Sequence, residues 1–169
     1  MKHLTIFDLD GTVINSDHRL KMATDKNLSM DNFCVETYRK TQVWEHVKND
    51  LLLPLADLMR EQIALGYNVG IVTARQMRLA DWQYLSKHNL LPLNDALIYH
   101  REKMPNPLEQ NNAAYKMPVL KHLASQAEKI TFYEDDRGVI EAAKTIDNIN
   151  VVDAVHFNKT LNNVSQWNH

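Results

Sequence analysis

Four short groups of side chains stand out as able to do chemistry: Asp8-Leu9-Asp10-Gly11-Thr12, Thr73-Ala74-Arg75, Lys116, and Glu134-Asp135-Asp136. They supply carboxylates, a hydroxyl and an ammonium, a mixture that suits transfer of a phosphoryl group. A phosphate monoester is a dianion that repels an approaching carboxylate, so Asp8 can attack phosphorus only where a cation screens both. Hard oxygen ligands suit Mg²⁺, which keeps several waters in its octahedron. Asp8 and Asp135 can supply two carboxylate ligands, with the backbone carbonyl of Asp10 as a third. Lys116 can neutralise further charge on the transferring group, and the Thr73 hydroxyl can donate to it. Asp10, two residues beyond Asp8, is placed to protonate a leaving alcohol and then to activate water against an acyl-phosphate. Gly11 lets the backbone turn away from a sheet so that amide N–H groups can face the phosphate.

Such groups are useful only if the fold gathers them. Short β-branched runs alternate with helical spacing, the pattern of a parallel sheet with crossover helices. Strands are expected at residues 3–7, 68–73, 96–100, 130–133 and 150–153. Helices are expected at 55–65, ended by Gly66, and at 76–88, 112–127 and 139–146,. In open parallel sheets ligands sit at the carboxyl ends of the strands, where strand order reverses. Asp8 and Glu134 directly follow expected strands, Thr73 ends one, and Lys116 lies on the helix before the last of these. Residues 15–53 are polar and irregular, with helical character near 35–47. Residues 101–112, with Pro105 and Pro107, read as a loop. The expectation is one α/β domain over 1–169, three-layered and Rossmann-like, with a parallel sheet of about five strands and 15–53 as a small insert or flap.

Bulk properties narrow the class. The 169 residues fit one domain, and 44% apolar with 24% charged residues is the balance of an ordinary globular chain,. The single cysteine, Cys34, excludes an internal disulfide and a cysteine metal cluster,. No stretch resembles a signal peptide or a membrane span, so a cytoplasmic chain with no membrane partner is expected. A net charge of −2 gives no global basic field for nucleic acid,. Arg75, Arg78, Arg101 and Lys103 can form a local basic rim for a second phosphate, or equally a solvated charged surface. His18, His46, His88 and His100 lack metal-ligand spacing. Trp44 and Trp82 read as core rather than as base-stacking platforms, and Trp167 as a packing anchor.

In their order along the chain, Asp-Leu-Asp-Gly-Thr, Thr-Ala-Arg, Lys and Glu-Asp-Asp resemble the four motifs of the haloacid dehalogenase (HAD) superfamily of phosphatases, over roughly residues 4–152. The resemblance implies a Rossmann-like HAD fold, Mg²⁺ as cofactor and an aspartyl-phosphate on the nucleophile Asp8, with Asp10 as general acid and base. It implies phosphate binding by Thr73, the adjoining Ala74 and Lys116, and a metal site among Asp8, Asp10, Asp135 and Asp136. The family's strand–loop–helix pattern favours Asp135 as the direct ligand, leaving Asp136 to orient Lys116 or a metal-bound water. Lys121 competes with Lys116 on the same helix, and the Tyr-Lys spacing favours Lys116.

Within the superfamily the sequence is most similar to the phosphatase domain of polynucleotide kinase/phosphatase enzymes, which remove 3′-phosphates from nucleic-acid ends. The likeness lies in residues 53–54 through 64–67 into 72–75, in 115–116 to 121–123, and in 135–137. The chain has only four glycines and no Gly-x-x-x-x-Gly-Lys-Ser/Thr loop, so no kinase half is expected,. Many members carry a cap domain; the interval between Gly11 and Leu55 is short for one, so an open or minimally capped site is expected. The expected substrate is a nucleotide or a nucleic-acid 3′-phosphate, the nucleic-acid end placed ahead of free mononucleotides. The alternative is a 5′-nucleotidase or small-metabolite phosphatase. A phospho-accepting receiver domain would carry its acceptor aspartate after a later strand, and a catalytically silent binding relative would lack Asp8 or Asp10.

Overall fold

The computed structural model describes residues 1–23 and 35–165. Cys34 and Trp167, and the middle of the expected insert, lie outside the described residues. Five strands form the main sheet: β1 (His3–Phe7), β4 (Val69–Val72), β5 (Ile98–Tyr99), β6 (Lys129–Glu134) and β7 (Ile149–Asp153). Their order is β5-β4-β1-β6-β7, and every neighbouring pair is parallel. After β1 the chain builds outward through β4 to β5, then crosses back to place β6 on the other side of β1. The reversal therefore falls at β1, and a crevice opens above the carboxyl ends of β4, β1 and β6.

Side-chain alternation along the strands divides the core in two. Phe7, Val69, Ile71 and Tyr133 face one layer, with helices α4 (Leu55–Ala64), α5 (Leu79–Lys87) and α8 (Ala154–Ser165). Leu4, Ile6, Val72, Ile130 and Phe132 face the other, with α6 (Asn112–Ala124) and α7 (Arg137–Ala143). Burial on both faces explains why these strands read as continuous apolar runs. This is the three-layer α/β architecture expected.

Several boundaries differ from expectation for local reasons. The third expected strand shortens to β5 because Asp95–Leu97 forms a 3₁₀ turn, in which the Asn94 side chain accepts the Ala96 N–H at 3.0 Å. α5 starts at Leu79 because the Asp81 carboxylate accepts the Arg78 N–H at 2.9 Å. β6 extends one residue further at each end and so takes in Glu134 as its last residue.

Two features were not expected. The segment after β1 is closed by a two-stranded antiparallel pair, β2 (Ile14–Asn15) with β3 (Leu51–Leu52). Between them lie α1 (Asp17–Ala23), α2 (Val35–Lys40) and α3 (Trp44–Val47), the last two within the stretch read as helical. The second feature is α8. Its buried Asn158 accepts the Leu55 N–H at 2.8 Å and donates to the Thr12 carbonyl at 3.0 Å, so the C-terminal helix grips both the turn after β1 and the start of α4. No described helix is long and apolar enough to cross a membrane.

α4 ends as the glycine at position 66 implies. Gly66 has φ +76°; its N–H bonds the Ile63 carbonyl and the Tyr67 N–H bonds the Gln62 carbonyl, both at 3.0 Å,. Nothing lies within 4 Å of where a Cβ would stand, so a side chain there adds only backbone strain. Gly66→Ala is expected to lower unfolding free energy by about 1–2 kcal/mol, read as a shifted urea midpoint with an unchanged m-value.

Candidate active site

Asp8 sits immediately beyond β1 with 4% of its surface exposed, and Lys116 on α6 reaches it from below with 2% exposed. The Lys116 ammonium lies 2.9 Å from Asp8 Oδ1 and 2.7 Å from Glu134 Oε2. Glu134, fully buried at the end of β6, also accepts the N–H groups of Asp135 and Asp136, at 3.2 and 3.1 Å. Glu134 thus fixes both the lysine and the turn that carries the next two aspartates. Sequence reasoning gave it no role of its own; its place at the strand tip, one residue before the acidic pair, was the available signal.

Asp135 approaches Asp8 through a gap that only glycine leaves. A Cβ on Gly11, whose φ is +74°, would stand 2.2 Å from Asp135 Oδ2. Gly11 therefore serves the turn of the backbone and also the entry of the carboxylate. Asp8, Glu134 and Asp135 offer oxygens all within 4.8 Å of one another. One ammonium faces three carboxylates, and the excess negative charge is of the kind a small hard divalent cation neutralises. Burial, followed by the charges of Glu134 and Asp10, pushes the Asp8 carboxyl up to about 7 against the opposing Lys116. Burial and then the charge of Asp8 push Asp135 up to about 6. Lys116, against the effect of burial, is held charged by Asp8 and Glu134.

Asp136 takes a different part from the one its neighbour takes. It caps α7, accepting the N–H groups of Gly138 at 2.8 Å and Val139 at 3.2 Å, and accepts the Asn112 side-chain amide at 2.9 Å. Those bonds hold its carboxyl below the usual range despite burial. The expectation that Asp136 orients Lys116 is thus corrected: Glu134 does so. Lys121, the rival on α6, is exposed.

Asp10 turns away from the carboxylate cluster toward Arg75. Arg75 Nε donates to Asp10 Oδ2 at 2.9 Å, its Nη2 forms a second, shorter bond to Oδ1, and Ser16 donates to the same Oδ1 at 2.7 Å. Against the upward effect of burial, the Arg75 charge and hydrogen bonds bring Asp10 down to about 2. Arg75 is itself clamped by Asp81 at 2.9 Å and lies 3.6 Å from Asp50. Asp50 takes two bonds from the buried Arg19, at 2.8 and 2.7 Å. The network ties the insert, through Ser16, Arg19 and Asp50, to the sheet and α5. Ser16, Arg19, Asp50 and Asp81 carry no motif that a sequence reading could have found.

The four basic residues do not form one rim. Arg75 is buried inside the network just described. Arg78 is exposed at the start of α5 and does not line the cleft. Arg101 lines the cleft, but its guanidinium donates to the carbonyls of Ala74, Pro107 and Glu109. Lys103 reaches back to the Ile98 carbonyl. Thr73, 1% exposed, accepts the Arg75 N–H at 3.2 Å through its hydroxyl oxygen, and Ala74 adjoins it on the cleft wall. Asp8, Asp10, Thr73, Ala74, Lys116, Asp135 and Asp136 all border one cavity of about 500 Å³, as do Tyr38, Arg39 and Gln42 of the insert. None of His18, His46, His88 or His100 borders it.

Comparison with known proteins agrees with this geometry. The family model of the bacteriophage T5 5′-deoxynucleotidase matches residues 1–167. A 5′-deoxynucleotidase of Escherichia phage T5 is 30% identical over 183 residues, covering 95% of this chain and 73% of that protein. Among solved structures, a haloacid dehalogenase-like hydrolase from Streptococcus pneumoniae has TM-score 0.58 at 16% identity, over 89% of this chain and 83% of that one. A HAD-family enzyme from Bacteroides thetaiotaomicron, solved as a magnesium complex, has TM-score 0.50 at 14% identity, over 90% and 92%. The structural likeness establishes the HAD fold.

The raised carboxyls set a pH dependence whose sign is fixed. A carboxyl with a folded-state pKa above its ordinary value near 3.8 binds its proton more tightly in the fold. Its contribution to stability is complete below about 4 and is lost as pH rises toward about 7. Asp10, shifted the other way, contributes above about 4 and loses its contribution as pH falls toward 2. A divalent ion binding Asp8 and Asp135 competes with their protons. Mg²⁺ is expected to raise the thermal midpoint most above pH 7, less at pH 6 and not measurably at pH 5. An equal rise at pH 5 and pH 8 would exclude these two groups as the site of binding.

Proposed function

The chain belongs to the bacteriophage T5 5′-deoxynucleotidase family, and from that premise we propose that its cleft hydrolyses nucleoside 5′-monophosphates through a phospho-aspartate on Asp8, with Mg²⁺ as cofactor. The observation that carries this reading is the convergence of Asp8, Lys116 and Asp135 at the point where the sheet reverses its order. Asp8 and Asp135, with the main-chain carbonyl of Asp10, are the residues that would hold the ion. Glu134 is already engaged by Lys116 and two N–H groups. The hard oxygen donors fit Mg²⁺, which would supply the positive charge that lets a carboxylate approach a phosphate dianion. The magnesium complex on the same fold supports the choice of ion.

In the first step an Asp8 oxygen bonds to phosphorus as the ester P–O bond breaks. Lys116, Thr73 and the Ala74 N–H hold the phosphoryl oxygens; Thr73 accepts through its oxygen and keeps its hydrogen for the substrate,. The leaving 5′-oxygen takes a proton from the Asp10 carboxyl. That step needs Asp10 protonated, whereas Arg75 holds it ionised in the free chain. A dianion arriving beside Asp10 opposes that ionisation and competes for the guanidinium, so the proton is taken up as substrate binds. In the second step Asp10, again a carboxylate, removes a proton from water as the water attacks the acyl-phosphate. Inorganic phosphate leaves and Asp8 is restored.

The segment 15–53 acts as a minimal cap within a single domain. It brings Ser16, Tyr38, Arg39 and Gln42 to the cleft, and the Arg19–Asp50 pair with the Tyr84 hydroxyl on the Asp50 carbonyl at 2.6 Å fastens it to the body. The likeness to polynucleotide 3′-phosphatase domains ranks second here. The T5 relative is a 5′-deoxynucleotidase, and the four basic side chains do not assemble into a backbone-binding rim.

Two measurements test this. Asp8→Asn is expected to abolish turnover with the fold intact by circular dichroism; activity at the normal rate would overturn the mechanism. In a parallel assay, deoxynucleoside 5′-monophosphates are expected to release phosphate faster than 3′-phosphorylated or 5′-phosphorylated oligonucleotides. A 3′-phosphorylated oligonucleotide as the best substrate would reverse the substrate order.

A further inference from the structure

The cleft is larger than a phosphoryl group needs. Its volume of about 500 Å³ falls in the usual range for whole small molecules, about 300–1,000 Å³,. The acidic cluster occupies one end. At the mouth stands Leu108, which borders the cavity although 83% of its surface is exposed. Of the large apolar side chains exposed among the described residues, Leu108 alone borders this cavity.

The loop that presents it is held firmly. Arg101 Nε donates to the Ala74 carbonyl at 2.9 Å, and Nη1 donates to the Pro107 and Glu109 carbonyls, each at 3.1 Å. The guanidinium also lies 4.6 Å from the centroid of the Tyr115 ring. The residues on either side of Leu108 are therefore clipped to one cation, which is in turn clipped to the residue beside Thr73. Pro107 removes further backbone freedom immediately before the leucine. Leu108 is a fixed prong, registered against the phosphate end of the cleft.

Resting on the nucleotidase reading, we propose that Leu108 forms the apolar wall against which the nucleoside half of the substrate lies, with Arg101 as its positioning residue. Leu20 of the insert also borders the cavity and adds to its apolar lining. Contact of this kind gains affinity from any planar base and reads no hydrogen-bond pattern. The site therefore prefers nucleoside monophosphates over base-less sugar phosphates while discriminating weakly among bases.

The test compares kcat/KM for dAMP, dTMP and 2-deoxyribose 5-phosphate in the wild type, Leu108→Ala, Leu108→Met and Arg101→Lys. Leu108 is too exposed for its loss to threaten folding. Leu108→Ala is expected to lower kcat/KM for both nucleotides by about fivefold to tenfold, mainly through KM, the scale of a lost apolar contact. The base-less substrate is expected to change by less than about twofold, and Leu108→Met to restore the nucleotide values. Arg101→Lys keeps the charge but cannot clip three carbonyls; because it also frees the Ala74 carbonyl beside the phosphate-holding groups, it is read by adding Leu108→Ala to it, which is expected to lower the nucleotide values little further,. Equal losses on nucleotides and sugar phosphate, or no loss on either, would overturn the inference while leaving the nucleotidase reading intact. A wild-type chain that hydrolyses none of the three would overturn the reading itself, and the inference with it.

Discussion

A single buried ammonium sets the terms for the whole cleft. Lys116 stands between Asp8 and Glu134 with almost no access to water, where an unpaired charge would be prohibitively costly. The lysine cannot be moved without exposing two carboxylates to each other, and neither carboxylate can be moved without stranding the lysine. α6, β1 and β6 are therefore bound into one register by charge as well as by packing. The arrangement remains unbalanced, because Asp135 adds a third carboxylate that shares the same ammonium. An excess of negative charge at this point is of the kind a small divalent cation offsets.

A second buried network sets the orientation of Asp10. Its carboxylate is positioned by Arg75, which is positioned by Asp81 on α5 and lies near Asp50, which is held by Arg19 on α1. The segment between β2 and β3 thus shares in holding Asp10 through Ser16, Arg19 and Asp50. Asp8 and Asp10 are two residues apart, yet one has its carboxyl pushed up and the other down. That divergence, created by which neighbours each side chain meets, is what the two different parts proposed for these identical residues require,.

The strands and most helices were legible because burial on both faces of a parallel sheet writes itself as β-branched runs between helical spacings. The motif residues were legible because they follow those runs directly. What failed to show has physical causes. β2 and β3 are two residues each, too short for any periodicity. α8 turns Ala154 and Phe157 toward the core but places the polar Asn158 among its buried positions, which interrupts the apolar spacing. Placing the start of α7 at Val139 instead of Arg137 concealed Asp136 as a helix cap, a role that Asp favours at that position,. The Asp10–Arg75 bond joins residues 65 apart, and Arg75 therefore read as a surface cation when it is an interior one.

The grip of Asn158 on the Thr12 carbonyl spans 146 residues. The turn that follows Asp8 and the amide that satisfies it are thus separated by nearly the whole of the sheet and its crossover helices. Until α8 docks, the Thr12 carbonyl and the first N–H of α4 both lack their partner. Ordering of that turn is accordingly tied to the docking of α8, and a fold in which only the sheet had formed would leave both backbone groups without their partner,.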